Sequence, residues 1–174
     1  MTQIDAPEDD LQITERIQPI SVSTKYDQRF HSVTQIRDLA PLHHDEPEDL
    51  GGFNSGPTAL EATLAAFNAC SAMIMFVLKR EQKFDLGGVE FKTGGFIDVR
   101  RAEMRRTKKK YSEIEPVARH YQRVEQEVVI TTSETQERID HFKAEVERLC
   151  PMYALLNDAG VPLTITWTVV RPDA

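Results

Sequence analysis

The run from Ala62 to Leu78 constrains this chain more than any other stretch, because it is apolar on nearly every helical face and carries no charge until Lys79. A helix apolar all round must be enclosed all round. The run falls short of the roughly 20 apolar residues that a bilayer span needs, and Thr63, Asn68 and Ser71 interrupt it. The expectation is therefore a buried core helix, not a membrane segment. Ala62, Ala65, Ala66, Ala69 and Ala72 permit close helix approach. A chain of 174 residues with 40% hydrophobic content can bury one good core, so a second subunit is the economical cover and an obligate homodimer is expected.

The remaining elements follow from periodicity and punctuation. Residues 1–15 read as a polar, acidic arm without a periodic face, ahead of one domain over 16–174. Ile17–Thr24 and Arg29–Arg37 are expected as strands joined through Tyr26-Asp27-Gln28, the first at an edge because of Pro19. His43–Pro57 is rich in turn residues and leads into the helix near Thr58. Val89–Arg101 alternates as a strand with a bulge expected at Gly94-Gly95, and Ile114–Thr131 returns beside it. Ser133–Gln136 has a capping-box pattern, after which Ile139, Phe142, Val146 and Leu149 recur at helical spacing. A short helix from Pro151 to Asp158 stops at Gly160, and Leu163, Ile165, Trp167 and Val169 alternate with threonines in a final strand. The sum is an α+β domain with antiparallel sheet packed on helices.

Two cysteines are placed where a thiol can react. Cys70 closes the segment Gly56–Cys70, a Gly-Pro turn, one carboxylate and an apolar run. Cys150 directly precedes Pro151, a residue suited to the first position of a helix, so its sulfur is expected at the positive end of a helix dipole. They lie 80 residues apart, and sequence alone does not place the sulfurs within bonding distance. Two buried, inert thiols are the alternative, because free cysteine is among the most buried residue types.

Together the two cysteine segments resemble the OsmC/Ohr family of thiol-dependent hydroperoxide reductases, over roughly Phe30 to Val170. The resemblance implies an OsmC-like fold with a long central buried helix in an intertwined homodimer, and reduction of organic hydroperoxides. It assigns peroxide attack to Cys70 and resolution as a disulfide to Cys150. It also implies a supporting carboxylate and an arginine that holds the thiolate. Glu61 is the candidate carboxylate. It lies nine residues before Cys70, about 900° of rotation and 13 Å of rise, so it must act across the dimer or through an arginine. The hydroperoxide-reductase branch carries its acid ten positions before the cysteine, where this chain has Leu60; Glu61 fits an OsmC-like branch with the acid at nine. Arg37, preferred over Arg29, is the candidate arginine. An apolar pocket lined in part by Phe53, Phe67, Met73 and Met75 is expected for the peroxide, and a lipoylated protein or a thioredoxin-like dithiol for the reductant. The alternative within the resemblance is a non-enzymatic ligand-binding or redox-sensing protein.

Charge and the other motifs narrow the classes. A net charge of −7 argues against general nucleic-acid binding, and the acidic N-terminus carries no secretory pattern, so a cytoplasmic location is expected. No cofactor is expected. His43-His44-Asp45-Glu46 carries ligand-type side chains, but adjacent residues in a Pro-containing loop rarely converge on one metal. The basic run Arg100–Lys110 has no interleaved aromatic and is expected as a solvated hairpin loop, and His120 and His141 as solvent or core histidines.

Overall fold

The computed structural model describes residues 17–100, 102, 107–108, 110–113 and 120–172. The expected N-terminal arm and most of the basic run lie outside them. Within the run, Arg100, Ala102 and Thr107 are helical, not a hairpin loop, and Arg100 is held by Asp98 at 2.5 Å.

Three strands open the chain: β1 (Ser23–Gln28), β2 (His31–Gln35) and β3 (Leu42–His44), paired antiparallel in that order. The first strand starts later than expected and the turn moves to Arg29-Phe30, since Gln28 pairs with His31. Pro19 has no N–H to give a ladder, and Arg29 takes the left-handed backbone, φ 50°, that the tight turn demands. β3 stands where the turn-rich sequence predicts a loop. It forms because Thr34, Val33 and Ser32 offer it a free ladder, while Asp45 gathers the loop beyond it. That carboxylate accepts from the amides of Glu46, Phe53 and Ser55 and from the Ser55 hydroxyl. Burial pushes its carboxyl up, but these hydrogen bonds outweigh burial and hold its pKa down at about 2.

The loop delivers the chain to α1 (Ala59–Glu81). Thr58 and Glu61 form a reciprocal capping box: the Thr58 hydroxyl oxygen accepts from the Glu61 amide at 3.2 Å, and the Glu61 carboxylate accepts from the Thr58 amide at 2.8 Å. At 23 residues and a mean hydropathy of 1.6, α1 is long and apolar enough to cross a membrane. It packs instead as the central helix of the fold, and in the single chain only Phe67, Ser71, Met75 and Leu78 are fully buried. Enclosure on every face is thus not achieved by one chain, and Met73, Phe76 and Val77 are each more than half exposed.

The second sheet has β5 (Arg123–Thr131) at its centre, β4 (Gly88–Phe96) antiparallel on one side and β6 (Leu163–Val170) parallel on the other. The parallel pair departs from the all-antiparallel expectation. The chain leaves β5, runs through α2 (Gln136–Leu149) and α3 (Pro151–Asp158), and so returns at the starting end of β5; a crossover of this length is what a parallel pair requires. No bulge interrupts β4, whose register to β5 is continuous from Gly88 to Phe96. Gly95 serves close approach: a Cβ there would stand 2.4 Å from the Tyr121 ring.

One face of this sheet carries Val124, Gln126, Val128 and Ile130 into the core. Against it pack Met75 and Leu78 from α1 and Ile139, Phe142 and Val146 from α2, the last three at the spacing the sequence predicts. The cap of α2 is Thr135, whose hydroxyl oxygen accepts from the Arg138 amide at 3.4 Å, not Ser133. Ser133 is engaged by the Asp85 carboxylate instead. A second cluster, Phe67, Tyr121, Val124, Cys150, Leu156 and Val161, lies toward the other end of the sheet. Both cysteines belong to that end.

Candidate active site

Two helices that are distant in sequence bring the thiols together. Cys70 lies in the middle of α1, half-buried against the second cluster, and Cys150 is a fully buried member of that cluster. Cys150 ends α2 and begins α3, with φ −77° and ψ 111°; Pro151 then starts α3 at the position where its missing N–H costs nothing. Both thiols are free, they pack in the same cluster, and Cys150 is near enough to influence the ionisation of Cys70. The Ser71 hydroxyl lies 3.7 Å from the Cys150 sulfur.

The electrostatics run against the expected thiolate. Burial pushes the Cys70 thiol above its ordinary value, the neighbouring Cys150 thiol adds to that, and a hydrogen bond from the Met152 backbone N–H partly offsets them. Met152 is the second residue of α3, so the helix start that the sequence reading aimed at Cys150 serves Cys70. Cys150 itself makes no side-chain cap bond to α3.

Glu61 and Arg37 are not among the groups that shift Cys70. The Glu61 carboxylate is committed to the capping box, also accepting from the Thr58 hydroxyl at 3.0 Å. Arg37 is exposed beyond β2 with φ 50°, and its carbonyl accepts from the Gln35 side chain at 2.7 Å. Arg29 lies over the Phe53 ring at 4.6 Å. Leu60, in the alternative acid position, contributes its carbonyl to the Tyr121 hydroxyl at 2.6 Å.

The four expected pocket residues do not meet within one chain. Phe67 and Met75 are sealed in the core, while Phe53 and Met73 are exposed. Met73 follows Phe67 by six residues, about 600° of rotation, and so leaves from a different side of the helix. The loop side chains at 43–46 likewise diverge. His43 bonds His31 at 3.0 Å and Asp45 turns to the backbone of its own loop.

Three features escaped the sequence reading. Ser71 and Met152 stand beside the cysteines in sequence, yet only the packing of α3 on α1 turns them toward sulfur. The third is Asn68, two residues before Cys70, whose carbonyl oxygen accepts from Thr93 at 2.6 Å and from buried Gln126 at 2.9 Å. A polar residue at the centre of an apolar helix was the visible signal. This pair of bonds ties the cysteine-bearing turn of α1 to β4 and β5.

The fold recurs in solved structures. An OsmC-like protein from Mycoplasma pneumoniae superposes with a TM-score of 0.66 at 12% identity, covering 90% of this chain and 99% of its own. An organic hydroperoxide resistance protein from Legionella pneumophila gives 0.62 at 14% identity, covering 88% and 100%. One from Elizabethkingia anophelis, with thiocyanate bound, gives 0.61 at 15% identity, covering 91% and 100%. These identities establish the shared fold alone. No sequence match is found among functionally curated proteins. The family described as OsmC-like protein matches residues 52–166, a span that runs from the loop ahead of α1 through both cysteines and into β6, and the chain belongs to the OsmC-like family.

Proposed function

We propose that this protein is a thiol-dependent peroxidase that reduces organic hydroperoxides with Cys70 as nucleophile and Cys150 as resolving thiol. The observation that carries the reading is that the two free thiols, 80 residues apart in the chain, pack in one cluster. Membership of the family and the organic hydroperoxide resistance proteins among its structural neighbours support it. Cys70 thiolate attacks one peroxide oxygen, the O–O bond breaks, and alcohol leaves after taking up a proton. Cys70 is then a sulfenic acid. Cys150 displaces its oxygen as water to form the disulfide, and an external dithiol, a lipoylated or thioredoxin-like protein of the cytoplasm, reduces the disulfide.

The working unit in this reading is a homodimer. Met73, Phe76 and Val77 leave an apolar side of α1 open, opposite the buried stripe of Phe67, Ser71, Met75 and Leu78, and an open apolar face of this kind marks an interaction surface. The second copy covers it, completes the apolar peroxide pocket, and supplies the cation that Cys70 needs, with Arg37 as the candidate and Glu61 as its orienting carboxylate. Steady-state hydroperoxide consumption with a dithiol reductant tests the cycle. Cys70→Ser should abolish turnover, and Cys150→Ser should permit one turnover and then stall or over-oxidise. Normal turnover by Cys70→Ser protein would sink the proposal.

One observation favours a second reading, a non-enzymatic ligand-binding or redox-sensing protein. The surroundings of Cys70 in the single chain hold it as a thiol, and Glu61 is occupied at the helix cap. A Cys70 that is inert to hydroperoxide would decide for ligand binding; fast oxidation with negligible steady-state consumption would decide for sensing.

A further inference from the structure

We infer that Ser71 is the positioning residue for Cys150, holding its sulfur toward Cys70 and stabilising its negative charge as it attacks. The inference rests on the reading of Cys150 as resolving thiol. Ser71 is the one polar member of the buried stripe Phe67, Ser71, Met75 and Leu78, and it is only 3% exposed. A serine inside a helix commonly returns its hydroxyl to the carbonyl four residues back. Thr63 of the same helix does so, bonding the Ala59 carbonyl at 2.9 Å. The Ser71 hydroxyl instead lies 3.7 Å from the Cys150 sulfur, a reach suited to the large radius of sulfur.

The surroundings give that hydroxyl its weight. Cys150 is 1% exposed among Phe67, Val124, Leu156 and Val161, and it makes no side-chain bond to the amides of α3. A thiolate formed there has little else to solvate it. In the resolving step the Cys150 sulfur gives its electron pair to the Cys70 sulfur, the S–S bond forms and the Cys70 S–O bond breaks. The proton shed by Cys150 departs with that oxygen as water. Ser71 donates its O–H to the Cys150 sulfur while the charge resides there, then relaxes as the disulfide closes. Because Ser71 follows Cys70 directly, the same helical turn carries the sulfur under attack and the donor that aims its attacker.

The test measures closure of the Cys70–Cys150 disulfide in the full-length chain, using cumene hydroperoxide in one arm and diamide, a thiol oxidant that involves no peroxide, in the other. The rate is followed from about pH 6 to 9, the range over which thiols ionise. Ser71→Ala should close about tenfold more slowly, the effect of one lost hydrogen bond to a charged group, with its profile displaced to higher pH. Ser71→Thr, which keeps the hydroxyl, should restore both rate and profile. A purely structural serine would lower the melting temperature without moving the profile. Wild-type rate and profile in Ser71→Ala, closure in Ser71→Thr as slow as in Ser71→Ala, or no Cys70–Cys150 disulfide with diamide would each overturn the inference. A wild-type chain that ignores the hydroperoxide yet depends on Ser71 with diamide would sustain it while refuting the peroxidase reading.

Discussion

Replacing Asn68 by alanine removes the acceptor that joins α1 to the second sheet, two residues ahead of Cys70. Two donors lose their partner. The Gln126 amide, 2.9 Å from Asn68 and in a residue only 3% exposed, is left unpaired in the core, which costs about 1–3 kcal/mol. The Thr93 hydroxyl, at 2.6 Å, rotates to a poorer partner and adds about 0.5–1 kcal/mol. Alanine is the better helix former and returns about 0.5 kcal/mol. The expected net loss is about 2 kcal/mol by urea unfolding, or roughly 20–30-fold in the folding equilibrium. A triple variant, Asn68→Leu with Thr93→Val and Gln126→Met, removes donors and acceptor together and should recover most of that loss. Asn68→Ala should also slow disulfide closure, because the turn carrying Cys70 is no longer pinned over the sheet. A loss below about 0.5 kcal/mol, or a triple variant no more stable than Asn68→Ala, would refute the reasoning that an unpaired Gln126 dominates.

Gly95→Ala forces a Cβ into the Tyr121 ring and should cost about 1–3 kcal/mol; thermal unfolding checks it, and a neutral result would show that Tyr121 can step aside. The raised pKa of Cys70 predicts that its alkylation by iodoacetamide in the monomer rises about tenfold per pH unit through the neutral range. The neutral thiol's contribution to stability is complete below the unfolded thiol pKa and is lost as pH rises through the higher folded value. An acid-side plateau in alkylation would mean that a cation already holds the thiolate. Phe76→Glu and Met73→Glu place charges on the open side of α1, and each buried apolar side chain is worth about 1.5–3 kcal/mol. Sedimentation should therefore show dimer dissociation raised at least about 100-fold, whereas a wild-type chain monomeric at micromolar concentration would remove the dimer from the account.

What the sequence disclosed and what it withheld divide along a physical line. Period and punctuation revealed α2, α3 and β6, because Ile139, Phe142 and Val146 answer to one buried face and Pro151 and Gly160 mark real boundaries. The same cues misread Gly94-Gly95 as a bulge, since a glycine kept for the approach of Tyr121 looks in sequence like one kept for a bend. Ser133 fits the cap pattern of α2, but its hydroxyl bonds Asp85, 48 residues away, and no local reading can see such competition. The parallel pairing of β6 is likewise set by where a crossover ends. At the site, the cysteine segments identified the family, but the Met152 amide and the Ser71 hydroxyl belong to the contact between α1 and α3 and have no local signature. Glu61 carries a simpler signal, for Thr58-x-x-Glu61 is itself a capping box.

The most direct measurement is intact mass, free-thiol count and peptide mapping of the reduced protein before and after brief exposure to a stoichiometric organic hydroperoxide. The account predicts rapid loss of both thiols and a single Cys70–Cys150 cross-linked peptide. Two thiols surviving unchanged, or Cys70 oxidised with Cys150 still free, would contradict it.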